Sequence, residues 1–231
     1  MQSKKESWKF FNVLSKKYDL LNHILSLGLH LIWKRRLVDS LSINKTSVVL
    51  DLATGTCDIL RLVSLKKKPF LKLIGLDMAQ EMLDVGQKKL NQSGIDATLL
   101  RGDAHQMPFS DQEIDVITMS FGIRNCHSID SVFKEMFRVL KPGASVFILE
   151  FSRPKNPILK GLHLIYLRTV VPFIGGLLTG QWKSYVYLDK TIESFLYGEA
   201  FCDQMKKAGF KDVHYRPLSG GIVGLYQAIK S

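Results

Sequence analysis

Val48-Val-Leu-Asp-Leu-Ala-Thr-Gly-Thr-Cys-Asp58 decides how this chain is read. Val48 to Leu52 is an apolar run of strand length, too short for a buried helix. Gly55 predicts a tight turn, and Thr56 and Asp58 are candidate N-caps for a following helix. A strand that ends on a carboxylate, Asp51, and passes through small residues into a helix N-terminus is nucleotide-binding architecture. Small residues let a ligand approach the backbone, and the free N–H groups of the helix offer it hydrogen bonds. A dinucleotide fingerprint, however, wants three glycines, and this turn supplies one. Taken alone, the stretch fits a cofactor loop and an ordinary strand–helix connection equally well.

The chain beyond it repeats the pattern. Leu71-Lys-Leu-Ile-Gly-Leu-Asp77 is a second apolar run ending on a carboxylate, 22 residues past Gly55. An acid at the end of a second strand can accept both hydroxyls of a ribose, a role compatible with capping the helix Gln80–Asn91 that follows. A short strand at Thr98–Leu100 leads into Arg101-Gly-Asp-Ala104, beside the crevice where an adenine would lie. Ile114–Ser120 reads as a fourth strand, and Phe121-Gly-Ile-Arg-Asn125 as its carboxyl-end loop, where chemistry belongs in such folds. Helix Ser131–Leu140, a Lys141-Pro-Gly143 turn and strand Ala144–Phe151 follow. Strands alternating with helices predict a parallel sheet covered on both faces. The last elements are a helix at Ile192–Ala208 and strands Phe210–Arg216 and Ile222–Ile229. Their short connection makes those two strands antiparallel, a hairpin at one edge of the sheet.

Two segments lie outside this rhythm. Glu6 to Ser42 carries Trp8, Phe11, Leu14, Tyr18, Leu21 and Leu25 at helical spacing, with Gly28 ending the first helix. These helices precede the first strand and are suited to covering the sheet's mouth. Asn22, His23 and His30 read as capping or surface groups. Pro154 to Trp182 is strongly apolar, but Lys160, His163 and Arg168 keep its charge-free runs below the ~20 residues of a membrane span. A buried helical cap, an apolar lid and an interfacial helix all remain open for it.

Composition bounds the rest. The chain has 231 residues, 46% of them hydrophobic, enough for one domain with one large core. Cys57, Cys126 and Cys202 are scattered, with neither a C-x-x-C nor histidines at metal spacing, so no metal site is expected and a reducing cytosol is. No apolar run follows Lys4 and Lys5, so no signal peptide is expected. The net charge of +11 suits nucleic acid, an anionic membrane or acidic ligands. The clusters Lys34-Arg-Arg36 and Lys66-Lys-Lys68 read as solvated faces.

A parallel sheet with an antiparallel C-terminal hairpin and an acidic-glycine turn resembles the class I S-adenosylmethionine (SAM) methyltransferases, with their Rossmann-like seven-stranded sheet. Tyr18-Asp-Leu-Leu-Asn22, Val49-Leu-Asp-Leu-Ala-Thr-Gly-Thr56, Met107-Pro-Phe109, Ser120-Phe-Gly-Ile-Arg-Asn125, Arg138-Val-Leu-Lys-Pro-Gly143 and Gly220-Gly-Ile-Val223 are similar to the quinone C-methyltransferases of menaquinone and ubiquinone biosynthesis. The resemblance covers essentially the whole chain. It implies one domain: an N-terminal helical cap (1–45), a cofactor core (46–152), an apolar substrate lid (153–190) and a C-terminal helix and hairpin (191–231). It implies SAM as cofactor, held by Thr56, Asp77, Asp103, Ala104 and Ser120, with Asp51 and Gly55 in the turn. Asp103 would accept from the adenine amino group and the Ala104 N–H would meet a ring nitrogen.

The implied reaction methylates a ring carbon of a polyprenyl quinol, whose hydroxyl must lose its proton first. Arg124 and Asn125 are the candidates to stabilise the phenolate, with Tyr18, His127, His23 or a water on Asn125 as proton acceptor. A bilayer substrate accounts for the basic charge better than nucleic acid, whose base-methyltransferase signatures are missing here. The expectation is a cytoplasmic protein, peripheral to the inner face of an anionic membrane, with a homodimer allowed. Three departures from the family pattern stand out: Cys57 for a usual Gly, Val186 for Arg and Leu196 for Pro. The first bears on cofactor affinity and the others on quinone choice. A methyltransferase for another lipophilic acceptor, or a non-catalytic scaffold in a quinone-pathway assembly, are the alternatives.

Overall fold

The computed structural model describes residues 7–66, 69–180 and 195–231. Among these the strands are β1 (Val48–Leu52), β2 (Lys72–Asp77), β3 (Thr98–Arg101), β4 (Ile114–Ser120), β5 (Leu140–Phe151), β6 (Lys211–Leu218) and β7 (Val223–Ile229). They form one sheet in the order β3-β2-β1-β4-β5-β7-β6. Neighbours from β3 to β5 run parallel, while β7 pairs antiparallel with both β5 and β6. The strand order reverses between β1 and β4, and the crevice outside their carboxyl ends is where such sheets bind ligands.

Among the described residues the helices are α1 (Ser7–Leu14), α2 (Tyr18–Leu25), α3 (Leu29–Asp39), α4 (Asp58–Lys66), α5 (Gln80–Gln92), α6 (Ile129–Val139), α7 (Pro157–Ile165), α8 (Val171–Thr179) and α9 (Glu199–Lys207). The central strands are apolar throughout because both their faces are covered. Leu50 and Leu52 point into one core with α6 and α9, through Phe133, Met136, Phe201 and Met205. Val49, next to Leu50 on the opposite face of β1, points into a second core with α3 and α4, through Leu37, Val38, Leu60 and Val63.

Several expected boundaries move. The first helix is broken by a 3-10 turn at Ser15–Lys17, and α2 closes on Leu27 together with the expected Gly28, which is also left-handed (φ 77°). Leu27 takes the left-handed conformation (φ 50°) while the Gly28 N–H returns to the His23 carbonyl at 2.8 Å. Lys141-Pro-Gly143 is a bulge within β5: Ile114 pairs with Leu140 but Val116 with Ser145. The last helix starts at Glu199, after the bend at Phe195; its expected start, Ile192, lies outside the described residues. Val186 lies outside the described residues.

His30 is buried rather than at the surface, and Lys34 is buried in an ion pair rather than on a solvated face. The apolar segment is one helical run, Pro157–Thr179, with a π-helical turn at Tyr166–Val170 between α7 and α8. By length and composition alone its 23 residues could cross a membrane, in spite of the charges that argued against a span. It is not a buried cap, since only 22% of its most apolar window is covered.

Candidate active site

The carboxyl ends of β1 to β4 enclose a cavity of about 400 Å³, within the range of small-molecule sites. Two strained turns shape its floor. Ala53 (φ 50°), Gly55 (φ 54°) and Cys57 (φ 64°) after β1, and Phe121 (φ 57°) after β4, all adopt the left-handed conformation. Three of these four have side chains, and such strain clusters where a backbone is shaped for function. The turns touch, because a Cβ on Gly122 would come within 2.6 Å of the Ala53 Cβ. Gly122 is therefore required by close approach.

Asp77, at the end of β2, lines the cavity. One carboxylate oxygen accepts from the Gly55 N–H at 2.8 Å and the other from the Ala79 N–H at 2.9 Å. Burial pushes its carboxyl up, against those backbone bonds. Each oxygen keeps a lone pair, so the group is oriented and still able to accept from a diol. Asp77 thus braces the turn before α5, whose N-cap position belongs to Ala79.

Asp103 and Ala104 lie on the same wall. Burial would raise the Asp103 carboxyl, but bonds from the His105 backbone and ring hold it below the ordinary carboxylate range. His105 in turn accepts from the Ser128 N–H at 3.3 Å and stacks on His127 at 3.7 Å between centroids. Gly55, Ser120, Asn125 and Tyr18 also line the cavity, and Trp8, Phe11 and Tyr18 cover it from the N-terminal helices.

Five residues singled out in the sequence stand outside the lining. Arg124 is buried behind the β4 turn, its guanidinium 2.7 Å from Glu150 and 2.6 Å from the Phe121 carbonyl. Its charge is spent on Glu150, so direct contact with a substrate oxygen does not fit this geometry. Thr56 donates to Asp19 at 2.6 Å and accepts from Lys89 at 3.2 Å. Lys89 also pairs with Asp19 and Asp58, and Lys34 with Asp58, tying α2, α3 and α5 to the start of α4. Asp51 is fully buried and accepts from Thr118 at 2.7 Å; burial pushes it up to about 7, the threonine bond opposing only in part.

Cys57 also points away from the cavity, into the core beside Gly86 of α5, where a Cβ would collide with its thiol. Burial raises that thiol to about 12, so it is an inert packing group. His23 is not in the lining either; its ring packs edge-on to His30 at 5.9 Å. Trp8, Phe11, Met82, Cys126 and His105 complete the cavity and carried no sequence signal beyond helical spacing or a strand end.

The groups present fit an adenosyl ligand: carboxylate acceptors at the ends of β2 and β3, a glycine turn, and an aromatic cover. The model of the ubiE/COQ5 methyltransferase family matches residues 1–230. The chain belongs to this family. It is 38% identical over 226 residues to the demethylmenaquinone methyltransferase of Thermotoga maritima, covering 97% of this chain and 96% of that protein. It is 37% identical to the ubiquinone/menaquinone biosynthesis C-methyltransferase UbiE of Rickettsia prowazekii, covering 98% and 94%.

Solved structures agree on the fold. A SAM-dependent methyltransferase from Thermotoga maritima superposes with a TM-score of 0.69 at 18% identity, covering 97% of this chain and 99% of that one. Phosphoethanolamine N-methyltransferase 2 of Haemonchus contortus, in complex with S-adenosyl-L-methionine, gives 0.63 at 16% identity, covering 85% and 52%. The protein is a SAM-dependent methyltransferase of the ubiE/COQ5 family, with a class I fold.

Proposed function

We propose that this enzyme transfers a methyl group from SAM to a ring carbon of a polyprenylated quinol, demethylmenaquinol or a methoxy-polyprenyl-benzoquinol. The near-full-length similarity to relatives named for demethylmenaquinone and ubiquinone/menaquinone C-methylation carries this reading. The aromatic cover of the cavity, Trp8, Phe11 and Tyr18, gives a flat ring an apolar surface to lie on. The net charge of +11 supports peripheral contact with an anionic membrane, from the cytoplasmic side, where such a quinol resides.

Bound SAM supplies an electrophilic methyl on a sulfonium. The chain supplies position and charge. Asp77 would hold the ribose diol, Asp103 the adenine amino group and the Ala104 N–H a ring nitrogen. Gly55 and Ser120 would flank the methionine part. Thr56 and Asp51 support the turn from behind. Holding reactants in attack geometry is worth up to ~7–11 kcal/mol. Asn125, Tyr18 and His127 face the cavity and are the groups placed to take or relay the hydroxyl proton and to hydrogen-bond the phenolate. Arg124 is a positioning residue: through Phe121 and Glu150 it fixes the turn that presents Asn125.

Transfer of labelled methyl from SAM to the two quinols, compared side by side, tests the reading. Label should enter the ring of at least one; cofactor binding with neither ring labelled overturns it. Asp77→Ala should weaken SAM binding about tenfold or more, as loss of a carboxylate hydrogen-bonded to two hydroxyls does. An unchanged affinity by calorimetry removes the ribose assignment.

A further inference from the structure

The helix Pro157–Thr179 exposes Ile158 (74%), Leu162 (61%), Ile165 (61%), Phe173 (61%) and Leu177 (71%). In an unbroken α-helix the first three would share a stripe. Phe173 and Leu177, at offsets 15 and 19 from Ile158, would drift around the side. The π-helical turn at Tyr166–Val170 takes up one extra residue, setting everything after it back by about 100°. The five residues then act as i, i+4, i+7, i+14 and i+18, all on one face. The opposite face is buried: Leu167 and Val171 pack on Leu25 and Phe151, Tyr166 donates to the Leu25 carbonyl at 2.9 Å, and Lys17 caps Leu178 at 2.8 Å.

Leu27 is a further exposed apolar side chain, next to the Leu25 turn on which the helix packs. It sits at the α2–α3 corner, 81% exposed, and a leucine there is held in the left-handed conformation that glycine or asparagine adopts more readily. From Phe151 to Gly180 the chain has no Asp or Glu. Exposed Lys155, Lys160 and Arg168 lie on or beside the helix, and exposed Lys16 and Lys17 on the segment packed against it. An apolar stripe bordered by Arg168, on a segment rich in cations and without acids, is complementary to an anionic lipid surface.

We infer that this helix lies flat in the headgroup–acyl boundary of an anionic bilayer, with Ile158, Leu162, Ile165, Phe173 and Leu177 inserted, and that the π-turn is what phases its two halves for insertion. It builds on the membrane contact proposed above, and adds the surface that makes it. Sedimentation with phosphatidylcholine vesicles, with and without phosphatidylglycerol, tests it on the full chain. Wild type should pellet with the anionic vesicles, less so at high salt. Leu162→Glu and Phe173→Glu, one on each side of the π-turn, should each lower partition by about tenfold or more. Removing Thr169, which converts the turn to ordinary α bonding, should do the same although no apolar side chain is lost. The Glu variants should keep SAM affinity and turnover on a tail-less, water-soluble quinol.

Glu variants that partition like wild type overturn the inference. So does a wild-type dimer in sedimentation velocity that the same variants split, which would make a second copy the occupant. Vesicle binding with the expected variant losses, but no methyl transfer to either quinol, overturns the reaction proposed above and leaves this surface standing.

Discussion

Arg124 and Glu150 are both withdrawn from solvent and held 2.7 Å apart, with the guanidinium 5.0 Å from the Phe151 ring. Removing one partner strands the other's charge in the core. Arg124→Ala is therefore expected to cost about 3–5 kcal/mol of stability, and the pair Arg124→Met/Glu150→Leu to recover most of it. Denaturant titration of the three proteins checks this; a single variant as stable as wild type would return Arg124 to the solvent side. The places of Asp77 and Asp103 on the cavity wall were legible in sequence because one ends a strand and the other follows a strand end by two residues. Arg124 was not. Its partner lies 26 residues away on the next strand, and Phe121 at φ 57° redirects the chain just before it.

At the scale of elements, the turn after β1 and helix α5 are fitted to each other through Cys57 and Gly86. An alanine at 86 would collide with the Cys57 thiol and sit 3.3 Å from the Gly55 carbonyl. Gly86→Ala should lower stability by about 1–3 kcal/mol, as overpacking does, and weaken SAM binding by displacing the turn. Adding Cys57→Gly should restore at least half of the stability, since the tight Gly55 contact remains while the thiol and its left-handed strain are gone. Thermal melts of the single and double variants decide this; no rescue would separate the two positions. The order of strands and helices followed from period and punctuation. The β5 bulge and the π-turn did not, because both depend on how a neighbouring element meets the segment.

For the molecule as a whole, the buried Asp51 and the half-buried Asp58 set opposite dependences on pH. Burial would raise Asp58, but Lys34 and Lys89 more than offset it and hold it well below the usual range. The stability it brings is present above about pH 4, the ordinary Asp value, and is lost as pH falls below it. Asp51, pushed up to about 7 by burial, works the other way. The unfolded chain gives up this proton more readily, so stability falls as pH rises from about 4 through 7. Asp51→Asn, which keeps an acceptor for Thr118, should flatten that loss. Denaturant titrations at pH 5 and pH 8 check it, and equal slopes for both proteins would contradict the burial argument. The Asp19–Lys89–Asp58–Lys34 chain joins the N-terminal helices to the cofactor turn across four elements, which no local pattern in the sequence could reveal.

The fit of Cys57 against Gly86 also constrains the history open to this enzyme. A lineage starting from glycine at both positions can acquire the thiol in one step. Once it has done so, a side chain at position 86 costs stability until 57 reverts. Replacement at these two sites is thus ordered rather than free, and residue 86 should enlarge only in family members that carry glycine at 57.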